Sequence, residues 1–128
     1  MVIIDTSVWI AFFKSAYSPE KTSVTHLLEE DRVMLVGVVL SELIQGTRSS
    51  QDRQQLQETL IALPYLEMTP HSWLVTGEMG AALRGKGITV GIPDLIVVAL
   101  AQEYDCQVYT LDSDFRRIPK LSLYSPPT

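Results

Sequence analysis

Four acidic residues that lie far apart in the sequence stand where their side chains could act together. They are Asp5, Glu42, Asp94 and Asp112. Carboxylate oxygens are the ligands that hard cations such as Mg²⁺ and Mn²⁺ prefer. A cation held by carboxylates suits phosphodiester hydrolysis, because it activates water and stabilises the charge that develops on the phosphate. The four acids therefore predict a site for Mg²⁺ (or Mn²⁺) with hydrolytic chemistry.

Two other kinds of catalytic site are disfavoured by the same sequence. The histidines are His26 and His71, and neither has a second His or Cys at the spacing that zinc sites use. Ser7 and Ser72 have no histidine beside them that could act as an activating base. A carboxylate site for a hard cation is the chemistry that the residues favour.

Each acid also has a structural explanation when it is taken alone. Asp5 could cap a helix, and Asp94 could favour the positive end of its own helix. Asp112 and Asp114 could form a turn after a strand. Glu42 stands in an apolar run, which predicts a partly buried carboxylate that needs a cation or strong hydrogen bonds. One shared cause explains all these positions better than separate accidents.

The elements that must position these acids follow from the hydrophobic pattern. Short apolar runs bounded by turn residues predict strands, and amphipathic stretches between them predict helices. The predicted strands are Val2–Ile4, Val33–Val36, Tyr65–Met68 and Val108–Leu111, with Leu121–Tyr124 as a candidate fifth. The predicted helices follow Asp5, cover Thr22–Asp31, Val38–Gln45, Ser50–Leu63 and His71–Arg84, and begin again at Pro93.

Strands that are nearly all apolar and alternate with helices predict an α/β fold. We expect a three-layer α/β/α arrangement around a central, mostly parallel sheet of four to five strands. Ligands of such sheets bind beyond the carboxyl ends of the strands. Asp5 and Asp112 follow strands, Glu42 lies about one turn into a helix, and Asp94 lies in a first helical turn. The topology can therefore bring the four acids to one edge.

Length and composition limit the number of domains and the classes of protein to which the chain can belong. The chain has 128 residues, of which 46% are hydrophobic, so a single domain over residues 1–128 is expected. The longest stretch without a charged residue, Met68–Gly77, is too short to span a bilayer. The N-terminus lacks the basic start of a signal peptide, and Cys106 is the one cysteine. We expect a cytoplasmic protein with no membrane segment.

The formal net charge of −5 argues against nucleic-acid binding by a broadly basic surface. This objection weakens if several of the acids share a cleft, because each divalent cation bound there adds two positive charges. The basic residues also fall into groups after the acidic motifs. They are Arg48 and Arg53, then Arg84 and Lys86, then Arg116, Arg117 and Lys120.

The order and spacing of four segments resemble a known family. The segments are Val2-Ile3-Ile4-Asp5-Thr6-Ser7, Ser41-Glu42-Leu43-Ile44-Gln45-Gly46, Ile92-Pro93-Asp94-Leu95-Ile96 and Thr110-Leu111-Asp112-Ser113-Asp114-Phe115. Together they cover nearly the whole chain and are similar to PIN domains, in particular to the VapC-like toxins of toxin–antitoxin modules. The resemblance implies a Mg²⁺- or Mn²⁺-dependent endoribonuclease, usually a homodimer, that a cognate antitoxin encoded beside it holds inactive.

The resemblance also implies roles for individual residues. Asp5, Glu42, Asp94 and Asp112 match the family's acidic quartet, which binds metal and carries catalysis. Asp114 is expected to support the metal site. Ser7 and Thr110 are expected to orient Asp5 or water. Arg84 and Arg116 are expected to contact RNA phosphate or the antitoxin. We expect cleavage to leave 5′-phosphate and 3′-hydroxyl ends.

Two alternatives stay open at this point. A phosphatase of the haloacid-dehalogenase type or a receiver domain would share the topology. The phosphatase pattern needs a second Asp where Ser7 stands, and both need a Lys where Leu111 and Asp112 stand. A catalytically silent PIN-like binding or repressor subunit is the other alternative, and the presence of all four acids argues against it. The helices near residues 22–30 and 50–63 are candidate antitoxin or self contacts.

Overall fold

In the computed structural model, which describes residues 1–127, four short strands form one parallel sheet. The strands are β1 (Val2–Ile4), β2 (Val33–Val36), β3 (Tyr65–Leu66) and β4 (Gln107–Tyr109). The helices are α1 (Thr6–Lys14), α2 (Pro19–Glu29), α3 (Gly37–Gln45), α4 (Ser50–Leu60), α5 (Pro70–Gly85) and α6 (Ile92–Glu103), and a 3-10 helix covers Ser113–Arg117. The strand order is β3-β2-β1-β4, which confirms the predicted α/β/α architecture.

The two central strands explain where the core lies. Every residue of β1 is buried, and β1 pairs with β2 on one side and β4 on the other. Helix α6 is buried continuously from Leu95 to Ala101, as its uninterrupted apolar sequence predicts. Because the rest of α6 is packed on all sides, its first turn, which carries Asp94, is held in a fixed position.

Polar side chains set where several helices begin. Ser18 accepts a hydrogen bond from the Lys21 amide at 3.0 Å, and Pro19 occupies the first position of α2. Helix α2 thus begins three residues before the predicted Thr22. Thr69 and Ser72 form reciprocal hydrogen bonds at the start of α5, a capping box.

Several further boundaries differ from the sequence prediction. The candidate fifth strand is reduced to one parallel bridge between Val108 and Leu123. Strand β3 ends at Leu66, before the predicted Met68, and α4 ends at Leu60, before the predicted Leu63. Strand β4 covers Gln107–Tyr109 instead of the predicted Val108–Leu111, because the chain turns at Thr110 towards the 3-10 helix. Within residues 1–127, no helix is both long and apolar enough to cross a membrane.

Candidate active site

Asp5 ends strand β1 and is 6% exposed. It occupies the cap position of α1, yet its side chain makes no capping hydrogen bond there. Instead its Oδ2 atom accepts hydrogen bonds from the Ser7 hydroxyl at 3.0 Å and the Thr110 hydroxyl at 2.8 Å. The capping explanation for Asp5 is therefore wrong: two hydroxyl groups hold this carboxylate, and one comes from the adjacent strand end.

The same two hydroxyl groups connect the ends of β1 and β4. The Thr110 hydroxyl accepts a hydrogen bond from the Asp112 amide at 3.0 Å, and the Ser7 hydroxyl accepts one from the Leu111 amide at 3.1 Å. The Asp5 amide in turn donates to the Tyr109 carbonyl at 2.9 Å. The segment that carries Asp112 is thereby fixed relative to Asp5.

Glu42 is exposed, so the prediction that it is partly buried is wrong. Val39 and Leu43 form the buried face of α3, so Glu42 lies on the exposed side of this short helix. Its Oε1 atom accepts a hydrogen bond from the Thr6 hydroxyl at 2.8 Å. Thr6 was missed in the sequence, although its place beside Asp5 in the first turn of α1 was visible.

Asp94 lies half-buried in the first turn of α6. Burial raises the pKa of Asp94 from 3.8 to about 6, and repulsion from four other carboxylates adds to the shift. In decreasing order of effect they are Asp5, Asp112, Glu42 and Asp114. All five predicted acids therefore share one electrostatic neighbourhood at the carboxyl edge of the sheet.

Asp112 and Asp114 lie at the start of the 3-10 helix that follows β4. The Asp112 Oδ1 atom accepts a hydrogen bond from the Asp114 amide at 2.9 Å, so Asp112 also has the turn-forming role. Asp114 Oδ1 lies 3.8 Å from an Arg117 guanidinium nitrogen. Both carboxylates are exposed. Arg117 was not among the predicted site residues.

The residues fit a hard cation by the chemistry of their donor atoms. The candidate ligands at this edge offer carboxylate and hydroxyl oxygens, which suit Mg²⁺ or Mn²⁺ and not zinc. Within residues 1–127, no three His, Cys, Asp or Glu side chains already stand in an arrangement that could hold a metal ion. The acids are near enough to raise the pKa of Asp94, and a cation among them would relieve that repulsion.

The two predicted arginines line separate hollows near this edge. Arg116 lines a hollow of about 100 Å³ together with Thr110 and Asp112. Arg84, in the last turn of α5, lines a larger hollow. None of the ion pairs within residues 1–127 joins Arg84 to the acids. The structure thus brings Asp5, Asp112, Ser7, Thr110 and Arg116 together, whereas Arg84 lines a hollow that includes none of the five acids.

Comparison with known proteins gives the family. The PIN domain family matches residues 2–121. Ribonuclease VapC11 of Mycobacterium tuberculosis is 26% identical over 126 residues, which cover 95% of this chain and 94% of that protein. Ribonuclease VapC21 of the same species is 32% identical over 115 residues, which cover 84% of this chain and 83% of that protein.

Solved structures give the same result for the fold. The structure of VapBC2 from Rickettsia felis, bound to a promoter DNA fragment, matches with a TM-score of 0.80 and 21% identity over 99% of this chain and 100% of that one. DNA-bound VapBC from Salmonella typhimurium matches with a TM-score of 0.77 and 25% identity over 96% of each chain. The chain belongs to the PIN domain family, and within it to the group of the VapC ribonucleases.

Proposed function

We propose that this chain is the endoribonuclease toxin of a toxin–antitoxin module and that its activity depends on Mg²⁺ or Mn²⁺. Relatives named as VapC ribonucleases match over most of the chain. The observation that supports the metal dependence is the gathering of carboxylates at one edge of the sheet: the Thr110 hydroxyl links Asp5 to the segment of Asp112, and the other four acids add to the rise in the pKa of Asp94 that burial causes. Such a cluster is stable at neutral pH when a cation offsets its repulsion.

Asp5, Glu42, Asp94 and Asp112 would hold the cation, and Asp114 would support them. When bound, the cation would supply Lewis-acid stabilisation of the phosphate and lower the pKa of water near it. The chain's own hydroxyl groups act on the carboxylates: Ser7 and Thr110 orient Asp5, and Thr6 orients Glu42. Substrate RNA would be cut to 5′-phosphate and 3′-hydroxyl ends.

The test compares two substitutions at opposite ends of α6. Asp94→Asn alters the cluster, whereas Asp105→Asn removes an acid just beyond the far end and keeps a residue type that tolerates its φ of 53°. Loss of a ligand should reduce RNA cleavage with Mn²⁺ by on the order of 100-fold or more, above the usual cost of losing a supporting group.

The matching measurement is Mn²⁺ binding by isothermal titration calorimetry, with circular dichroism as the control for folding. Asp94→Asn should lose the binding heat, and Asp105→Asn should retain both binding and cleavage. A folded Asp94→Asn protein that cuts RNA at the parental rate would overturn the proposal.

An antitoxin partner is the second part of the proposal. The two compared structures are complexes named VapBC. Helices α1, α3 and α4 of this chain border a groove of about 470 Å³ whose apolar walls include Ile10, Phe13, Leu43 and Leu56. Glu42 also lines the groove. A partner segment seated there would lie beside the acid cluster, which suits inhibition by occupation.

We also propose that the chain forms a homodimer, as membership of the family implies. Light scattering after size-exclusion chromatography tests this proposal. A mass of one chain at micromolar concentration would contradict it.

A further inference from the structure

A second hollow, of about 280 Å³, lies between helix α5 and the loop that leads into α6. Its walls on α5 are small residues, Gly77, Gly80 and Ala81, and its other side includes the exposed Ile92. This volume is close to the lower end of the range of about 300–1,000 Å³ that small-molecule sites occupy. It is more than twice the volume of the hollows of about 100 and 120 Å³ nearer the acids, and it leaves room for a planar ring.

This hollow adjoins the acid cluster. Thr89, Val90 and Gly91 line it and also line the neighbouring hollow of about 120 Å³. That smaller hollow contains Asp94 and Asp114. A chain molecule can therefore cross the loop of residues 89–91, with one of its groups at the acids and the next group in the α5 hollow.

The charge of the α5 hollow differs from that of the acid cluster. Arg84 lines it, and none of the ion pairs observed within residues 1–127 includes Arg84. Arg117, in contrast, faces the smaller hollow and pairs with Asp114. A polyanion that approaches a chain with a net charge of −5 gains most from cations without an acidic partner.

We propose that the α5 hollow binds the base of an RNA nucleotide next to the scissile phosphate; this inference rests on the proposed function. Proteins read single-stranded RNA by splaying out a base, stacking it on an aromatic ring or a guanidinium plane and hydrogen-bonding its edge. Arg84 supplies the guanidinium plane, the Thr89 hydroxyl supplies a hydrogen-bonding group, and Gly77 and Ala81 leave room for the ring. The hollow then selects which nucleotide stands at the cleavage point.

Two substitutions test the hollow. Arg84→Gln removes the guanidinium group, and Gly77→Leu fills the space, since a Cβ atom built on Gly77 meets nothing within 4 Å. Two control substitutions, one on α5 and one directly after it, make similar changes at residues that do not line the hollow. Lys86→Gln removes a charge two residues from Arg84, and Ala82→Leu introduces the same leucine side chain at an exposed position.

The measurements are kcat and KM with Mn²⁺ on a single-stranded RNA, together with mapping of the cleavage positions. We expect Arg84→Gln to raise KM about tenfold, the size of one base contact, and both hollow variants to shift the preferred cleavage positions. Mn²⁺ binding should match the parent in all four variants. If the hollow variants behave like their controls while the parent cuts RNA, this inference fails and the proposed function stands.

A different role for the same surface would also be visible. Sedimentation of each variant reports its state of association. Hollow variants that change association but keep the parental cleavage positions would assign this face to self-association and overturn the inference. A parental chain that neither binds Mn²⁺ nor cuts RNA would contradict the proposed function instead.

Discussion

The protonation of Asp94 links the acid cluster to the stability of the fold. Its pKa is about 6 in the folded chain, against 3.8 for an ordinary Asp. The folded state therefore holds a proton that the unfolded state releases between these two values. The stability that this proton contributes is complete below pH 3.8 and is lost as the pH rises through 6. Without metal, ionised Asp94 is a cost to the fold at neutral pH.

Asp94→Asn should therefore stabilise the metal-free protein above pH 6. We expect a gain of about 1–2 kcal/mol in the free energy of unfolding, after allowing for solvent screening of this half-buried group. The gain should vanish below pH 4. Urea unfolding in the presence of EDTA across this pH range measures it. A gain that does not depend on pH would contradict the electrostatic cause.

The Thr110 hydroxyl group donates one hydrogen bond and accepts another within the site. Thr110→Val keeps the shape but removes the donor to Asp5 and the acceptor for the Asp112 amide. We expect Mn²⁺ affinity to fall about 10–100-fold, the usual cost of losing such a support, and stability to fall by about 1–3 kcal/mol. Calorimetric titration and urea unfolding measure the two effects. Thr110→Ser retains the hydroxyl and should stay close to the parent; equal Mn²⁺ affinity in both variants would contradict this role.

At the level of single residues, the sequence predicts the acids better than it predicts their surroundings. Asp5 and Asp94 are placed by the strand end and the helix start that precede them, and these local signals are strong. The burial of Glu42 was misjudged because a short apolar helix does not show which of its sides faces the core. Thr6 contacts Glu42 only because the fold brings α1 beside α3. Arg117 pairs with Asp114 only because the segment between them is a 3-10 helix.

Helices α5 and α6 meet through a small residue. A Cβ atom on Gly80 would lie 2.9 Å from the Leu95 Cδ1 atom, whereas a Cβ atom on Gly77 would meet nothing within 4 Å. Leu95 directly follows Asp94, so this contact also fixes the start of α6. The close approach explains why glycine occupies the middle of a helix at position 80.

The two glycines predict opposite results for the same substitution. Gly77→Ala should raise stability by about 0.5–1 kcal/mol, because alanine favours the helix. Gly80→Ala gains the same preference but must displace the Leu95 Cδ1 methyl group, and because Leu95 is buried this overpacking costs about 1–3 kcal/mol. Thermal unfolding of both variants measures the difference. A Gly80→Ala protein as stable as Gly77→Ala would show that the contact gives way freely.

At the level of elements, the sequence predicts order and type better than ends. The strands β1 and β2 have the predicted bounds because they are short and apolar, and a polar residue or a glycine follows each of them. The segment Leu121–Tyr124 has similar apolar content, but it lies at the sheet margin and pairs only through a single bridge. Pairing depends on a partner strand, so its extent is absent from the local pattern.

For the whole molecule, the positions of the charged residues matter more for RNA binding than the net charge does. The acids gather at the carboxyl edge of the sheet, and Arg116 and Arg84 line hollows beside that edge. A bound divalent cation would reverse the local sign where phosphate must dock. The net charge of −5 is therefore compatible with RNA cleavage, provided that binding requires the metal.

The groove between α1, α3 and α4 gives a prediction about partner binding. Ile10 is 51% exposed and lines the groove, whereas Ile61 is 80% exposed and follows the end of α4 away from the groove lining. Ile10→Asp places a charge in the apolar seat, and truncating or charging such an anchor costs about 2 kcal/mol or more. The affinity for the antitoxin encoded beside this chain should fall at least about tenfold.

Ile61→Asp is the matched control, because it makes the same chemical change at a more exposed isoleucine. Calorimetric titration of each variant with the purified antitoxin measures the affinity, and RNA cleavage without antitoxin reports whether the site is intact. Because Ile10 is half-exposed and is not one of the residues that hold the acids, both variants should still cut RNA. Equal loss of antitoxin affinity in the two variants would place the partner elsewhere on the molecule. Selective loss in Ile10→Asp would join inhibition to the groove that Glu42 borders.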